Sequence, residues 1–275
     1  MIKSLLAFFL LLTSIATTHQ ISSFQEAAGE LEQLDSDALV VFDVDQVLIT
    51  NQDALLTAAG DALRNQLIFE EMSSMSPQQL KQASKLILLA FLSPQKRLVE
   101  NTTPDLIRSL QKRGIKVIAL THCRTGPYGD LPSVEQWRID ELKSFGIDFS
   151  WAFPDTKRVV LHSLGKPDKT PPLFQDGILF SLGYTKGEVL LTFLQGLHYR
   201  PSKVVFFDDL LDNLNSVYDE LTKEQIPVLT YHYTDPYVQS ITVDEEIARL
   251  QMRTLITDQK WLSDTEARTL LSNQN

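Results

Sequence analysis

The chain has 275 residues, of which 43% are hydrophobic and 22% charged, enough to bury the core of one or two globular domains. A net charge of −10 excludes the general electrostatic attraction on which nucleic-acid binding rests, so an anionic ligand would need a local positive site. The single cysteine, Cys123, excludes an intramolecular disulfide, and the fold must hold by packing.

In chain order, Lys3, the apolar run Leu5 to Leu12 and the small and polar residues Thr13 to Thr18 have the pattern of a secretory signal peptide over residues 1–18. The run is short for a transmembrane span. An uncleaved anchor or a buried helix are the competing readings. Export to the periplasm or medium is expected, with no stable membrane span once the signal is removed. Residues 19–37 are polar and helix-prone and lead into the Val-rich run Ala38 to Phe42, which suits a buried parallel strand.

Residues 51–100 read as helical. Leu55, Leu56, Ala59, Leu63 and Leu67 recur at helical spacing, and Ser76-Pro77 opens a second helix. A stretch of about fifty residues is long for a connection, and it reads as an all-helical cap inserted after the first strand. The expected core is then 19–50 with 101–275. Thr103-Pro104 opens a helix that Gly114 ends, and Ile115 to Leu120 is a second strand closing on Thr121. A helix through Trp137, Ile139, Leu142 and Phe145 follows. Val159 to Leu161 and Gly177 to Phe180 read as the two arms of a hairpin excursion across a Gly/Pro/Lys/Asp-rich turn region. Lys186 opens a helix, Val204 to Phe207 is a third buried strand ending in Asp208-Asp209, and Val228 to Tyr233 is a fourth. Ser263 and Glu266 form a capping box before the last helix. The alternation predicts an α/β fold with a Rossmann-like parallel sheet.

Three strands therefore end in polar residues: Asp43 and Asp45, Thr121, and Asp208-Asp209. In open parallel sheets chemistry sits beyond the carboxyl ends of the strands. Two acids brought together there repel, and a divalent cation would neutralise them. Taken singly, each feature has an ordinary explanation: an acidic turn, a strand end, a solvated lysine, a helix cap.

Taken in order, they resemble the four motifs of the haloacid dehalogenase superfamily of phosphohydrolases. The first is Asp43-Val44-Asp45-Gln46-Val47 after a hydrophobic strand, with Gln46 where Gly is frequent. The second is VIAL-Thr121, the third Lys186-Gly187, and the fourth VVFF-Asp208-Asp209. The long helical insertion and the GILF…KG segment resemble a little-studied group of exported bacterial proteins within that superfamily. The resemblance implies a phosphomonoester hydrolase with Asp43 as nucleophile and Asp45 as general acid and then base. It implies Thr121 and Lys186 as phosphoryl-binding residues, and Mg²⁺ held by Asp43, Asp45 (through its main-chain carbonyl), Asp208 and Asp209. The substrate would be a phosphorylated small molecule or a phosphoprotein. A phosphotransferase using the same site, or a non-catalytic binding or effector protein of the same fold, are the alternatives. Thr121-His122-Cys123-Arg124 is similar to the T-x-R of secreted acid phosphatases with one extra residue, so no role passes to Arg124. His122 and Cys123 read as local structure, and Asp212 as a surface acid.

Overall fold

The computed structural model describes residues 18–92, 95–166 and 169–273. The expected signal segment lies outside the described residues except for Thr18, which opens the first strand.

β1 (Thr18–Ile21) leads through a turn to α1 (Ala28–Glu32) and β2 (Leu39–Phe42). β3 (Ile49–Asn51), α2 (Asp61–Met72), α3 (Pro77–Leu92) and β4 (Lys96–Leu98) follow. Next come α4 (Thr103–Lys112), β5 (Lys116–Thr121), α5 (Val134–Ser144), β6 (Arg158–Val160), β7 (Leu173–Gln175) and β8 (Ile178–Phe180). Then come α6 (Lys186–Gly196), β9 (Val204–Asp208), α7 (Leu211–Lys223), β10 (Val228–Tyr233), α8 (Pro236–Ser240), α9 (Glu245–Asp258) and α10 (Asp264–Ser272).

The main sheet has the order β1-β10-β9-β2-β5-β8-β7-β6. From β1 to β8 neighbours are parallel, and β7 and β6 are added antiparallel at one edge. The fold is thus α/β with a mostly parallel central sheet. Side chains of a strand alternate between faces, and both faces are covered. Leu39, Val41, Ile118, Leu120, Val204 and Phe206 pack under Val189, Phe193, Leu214 and Val217 of α6 and α7. Val40, Phe42, Val117, Ala119, Val205 and Phe207 pack against Phe24, Ile107, Leu110, Ile139 and Leu142 on the other side. Burial on both faces is why these strands read as unbroken apolar runs. Phe42, Phe207 and Tyr231 stack across neighbouring strands, with ring centroids 4.9 Å apart at each step.

Several elements differ from the sequence reading. β1 lies where a helix-prone leader was expected. It has only four residues, of which Ile21 alone is buried, so it carries no apolar pattern. The hairpin is β7–β8, turning through Asp176 and Gly177, both with positive φ (46° and 84°). Asp-Gly suits such a turn because both central residues must be left-handed. Val159 and Val160 pair with β7, not with β8, and β8 belongs to the parallel sheet beside β5. The insertion is not wholly helical. β3 and β4 form an antiparallel ribbon at its root.

The helices of the insertion share a core with the C-terminal helices. Leu55, Leu67 and Ala90 pack with Ala248, Met252 and Leu255 of α9. Asp53 accepts hydrogen bonds from Trp261 Nε1 (2.7 Å) and Asp264 N (2.9 Å), and Asp264 accepts one from Ala54 N (3.0 Å). The grouping of all of residues 101–275 with the sheet therefore does not describe this packing, since α9 lies with the insertion. These contacts span about two hundred residues and leave no local signature. Among the described residues no helix is long and apolar enough to cross a membrane.

Candidate active site

From β2 the chain moves outward through β5 to β8, then returns across the sheet to β9 on the other side of β2. The strand order reverses between β2 and β9, and a crevice opens beyond the carboxyl ends at such a point. Asp43 follows β2 there, its N–H donating to the Phe207 carbonyl at 2.8 Å, so β2 and β9 stay paired up to the acidic residues. A cleft of about 350 Å³ opens above them. Its floor holds Asp43, Asp45, Thr121, Lys186 and Asp209, while Asn51, Leu56 and Arg64 reach it from the insertion.

Asp45 starts a tight turn in which the Leu48 and Ile49 N–H groups both donate to the Val44 carbonyl. Gln46 has φ of 68°. That conformation favours glycine, which accounts for the Gly frequent in the resembling motif. Here the Gln46 side chain compensates by accepting a hydrogen bond from Thr50 Oγ1 at 3.0 Å.

Lys186 is buried at the start of α6. Its Nζ lies 2.6 Å from Asp43 Oδ1 and 2.7 Å from Asp208 Oδ2. The next residue must be glycine because a Cβ on Gly187 would come within 2.0 Å of the Ser216 carbonyl oxygen. The close passage of α6 over α7 carries Lys186 into the crevice. Burial alone would lower the pKa of its ammonium, but Asp43 and Asp208 outweigh it and hold the pKa above the usual lysine range.

Asp43, Asp208 and Asp209 offer carboxylate oxygens that all lie within 4.8 Å of one another. Asp208 Oδ1 accepts from Leu210 N and Asn213 Nδ2, both at 2.9 Å, and Oδ2 accepts from Lys186. Asp209 makes no side-chain ion pair among the described residues and is the less committed of the two. Burial, against the pull of Lys186, pushes Asp43 well up. Burial, then the Asp208 charge, pushes Asp209 up to about 7. Three hard oxygen donors with more negative charge than Lys186 can offset fit a small divalent cation such as Mg²⁺.

A carboxyl raised from its unfolded value near 4 to about 7 keeps its proton in the folded chain where the unfolded chain has lost it. Its contribution to stability is present below about pH 4 and is lost as pH rises to about 7. Without a divalent cation, melting temperature should fall between those limits. Asp209→Asn should remove much of that slope and raise the melting temperature at pH 7.5 by a few degrees, at roughly 2–4 °C per kcal/mol. A flat profile, unchanged by the variant, would show that the three acids do not form one electrostatic unit.

Asp45 points to the other wall, and its side chain is 47% exposed to the cleft. Its Oδ2 meets Arg138 Nη2 at 3.1 Å. The surrounding protein pushes its carboxyl up, but Arg138 first, then Lys96 and Lys186, outweigh this and hold it below the usual range. Arg138 Nη1 also pairs with Glu141 at 2.5 Å, and Glu141 with Lys96 of β4 at 2.9 Å. A buried chain of alternating charge thus runs from Asp45 through α5 to the root of the insertion. Thr121 is buried at the end of β5, its Oγ1 accepting from Cys123 N at 3.2 Å.

The fold therefore brings Asp43, Asp45, Thr121, Lys186, Asp208 and Asp209 to one crevice. Asp212 is exposed on α7, and Arg124 lines a neighbouring cavity. Sequence reasoning missed Arg138, Lys96 and Glu141, whose pairing with Asp45 has no local pattern. It also missed Asn213, one turn into α7, for which the fourth strand's acidic end followed by a helix was the available signal. Asn213 orients two groups at once. With its Nδ2 given to Asp208, its Oδ1 accepts from His122 Nε2 at 3.2 Å, and His122 Nδ1 faces Ser181 Oγ at 3.1 Å. Burial and Lys186 pull the His122 pKa down, which keeps the ring neutral. Burial pushes the Cys123 thiol up and leaves it protonated.

Residues 20–268 match the family described as proteins of unknown function DUF2608. The chain belongs to this family. Similar chains include uncharacterized proteins of Rickettsia. The Rickettsia felis protein is 30% identical over 152 residues, covering 54% of this chain and 52% of its own. The Rickettsia bellii protein is 26% identical over 244 residues, covering 84% and 82%. The Rickettsia prowazekii protein RP296 is 25% identical over 242 residues, covering 88% and 86%. The matched stretch thus spans about half the length of the R. felis relative, and most of the other two. No solved structure matches the chain.

Proposed function

We propose that this DUF2608 protein is a Mg²⁺-dependent phosphomonoester hydrolase of the haloacid dehalogenase type, acting through an aspartyl-phosphate on Asp43. The observation that carries the reading is the buried Lys186 ammonium held between Asp43 and Asp208, with Asp209 beside them. An isolated charge cluster of this kind is costly to bury, and it lies at the sheet's switch point. A bound Mg²⁺, held by Asp43 and Asp209 with Asp208 behind them, would neutralise charge on the phosphoryl oxygens.

The chain's own groups divide the work. Asp43 attacks phosphorus, and Lys186 neutralises both that carboxylate and the transferred oxygens. Thr121 offers its hydroxyl to the phosphoryl group. Asp45 rests as an anion on Arg138, the form that activates water in the second step. For the first step it must carry a proton, and the negative charge of an arriving phosphate favours that uptake. The insertion is proposed as the cap, since Asn51, Leu56 and Arg64 line the cleft from above.

Hydrolysis of an aryl phosphate should require Mg²⁺ and stop with chelator. Asp45→Asn should slow alkyl phosphates by roughly 10²- to 10⁴-fold, the usual worth of a general acid. Aryl phosphates with good leaving groups should lose less and show a burst followed by slow turnover. Folded protein that hydrolyses neither class, with or without Mg²⁺, would leave the non-catalytic binding reading in its place.

Export is part of the proposal. The signal pattern over residues 1–18 places the start of the mature chain after about residue 16 to 20. The mass of the exported protein checks this, and a full-length chain retained in the cytoplasm would contradict it.

A further inference from the structure

Beside the catalytic cleft lies a second cavity of about 300 Å³, lined by Arg124, Lys169, Thr170, Pro172, Leu182 and Cys123. Cys123 lines the cleft as well, so the two spaces adjoin across one residue. Among the described residues no acidic side chain lines this cavity, although the chain as a whole carries a net charge of −10.

Arg124 is placed as a receptor for an anion. Its guanidinium lies over the Tyr128 ring, 4.1 Å from the centroid, a contact that restrains its plane. Its Nε is buried and has no hydrogen-bond partner. The guanidinium makes no salt bridge with a carboxylate among the described residues. Arg97 is paired with Asp235, Arg138 with Asp45 and Glu141, and Arg249 with Glu70 and Glu245. Lys169 also lines the cavity and is anchored by donating from Nζ to the Gly183 carbonyl at 2.6 Å. An ammonium has three donors, so two remain. A half-buried guanidinium with a buried, unpartnered Nε and no acid beside it among the described residues has donors to spare, and an anionic ligand is what would satisfy them.

We propose that this cavity is a second-anion subsite, and that the substrate is a small phosphomonoester bearing another anionic group, a carboxylate or a second phosphate, which Arg124 and Lys169 bind while the reacting phosphate sits at Asp43. The inference rests on the phosphatase reading. It also explains why Arg124 follows Thr121 by three residues without entering the catalytic cleft: the loop after β5 presents Thr121 to one anion and Arg124 to the other.

The test uses ligand pairs that differ in the second anion, at two spacings. 3-Phosphoglycerate is compared with glycerol 1-phosphate, and fructose 1,6-bisphosphate with fructose 6-phosphate. Affinities are measured by calorimetry with Mg²⁺ in the Asp43→Asn protein, which cannot turn them over. At least one doubly anionic member should bind about ten- to a hundredfold tighter than its partner, the worth of one or two charge-assisted hydrogen bonds. The pair that responds tells carboxylate from phosphate. Adding Arg124→Gln should bring that ratio close to one while the singly anionic ligand keeps its affinity. Lys169→Gln should lower the ratio in part, and Arg124→Lys should restore some of it. Equal affinities within both pairs, or a ratio indifferent to Arg124→Gln, would overturn the subsite and leave the phosphatase reading standing. Equal weakening of both members would place Arg124 at the reacting phosphate and overturn it too. Failure of all four esters to bind would overturn the subsite, and the phosphatase reading would then be decided separately by the Mg²⁺-dependent hydrolysis of aryl phosphate by the wild-type protein.

Discussion

Asp43→Asn is expected to abolish turnover of every phosphomonoester at every pH, a fall of about 10⁴- to 10⁶-fold of the kind seen when a covalent nucleophile is removed. The amide has nearly the shape of the carboxyl and cannot form the acyl phosphate. The fold should survive. Asp43 sits in a crevice where burial disfavours its charged form, so an uncharged side chain relieves that cost, while Lys186 keeps Asp208 as partner at 2.7 Å. Loss of activity with melting temperature unchanged or higher would separate chemistry from folding. Trapping of a phosphorylated protein by rapid quench in wild type, and not in the variant, would locate the intermediate. Activity within tenfold of wild type would sink Asp43 as nucleophile and with it the proposed mechanism.

The second large effect concerns Lys186. Lys186→Met keeps the buried stem and removes the charge that serves both Asp43 and Asp208. Breaking a buried ion pair from one side costs about 3–5 kcal/mol because the remaining charge is left uncompensated. At roughly 2–4 °C per kcal/mol for a chain of this size, melting temperature should drop by roughly 6–20 °C in the absence of Mg²⁺. Mg²⁺ should restore part of that loss, since a cation bound only to the folded chain stabilises it and supplies the missing counter-charge. Asp208→Asn in the same background should also recover stability, and the departure from additivity would measure the coupling directly. A variant as stable as wild type and active within threefold would show that Lys186 is an ordinary helix-start lysine after all.

The parts of this fold that sequence made legible are those with dense local patterns. β2, β5 and β9 are short apolar runs buried almost throughout, and their ends coincide with Asp43, Thr121 and Asp208. The Ser263–Glu266 capping box is present as read, with both reciprocal hydrogen bonds formed. β1 and β7 were illegible for the opposite reason. They have four and three residues, sit at or near the sheet edge, and depend on partners far away in sequence.

The same division runs through the site. Sequence by itself determined which residues end the central strands, because strand length and apolar content are local properties: two acids after β2, a threonine after β5, an acidic pair after β9. It could not determine how those ends share charge. Only the tertiary structure decided that Lys186 joins Asp43 to Asp208 rather than facing solvent, because that depends on α6 passing over α7 at Gly187. Only it decided that Asp45 is held by Arg138, ninety-three residues away, and that Arg124 lines the cavity beside the acidic cleft and not the cleft itself. Electrostatic partnership is set by distance and burial in space, and neither quantity is written in the spacing of residues along the chain.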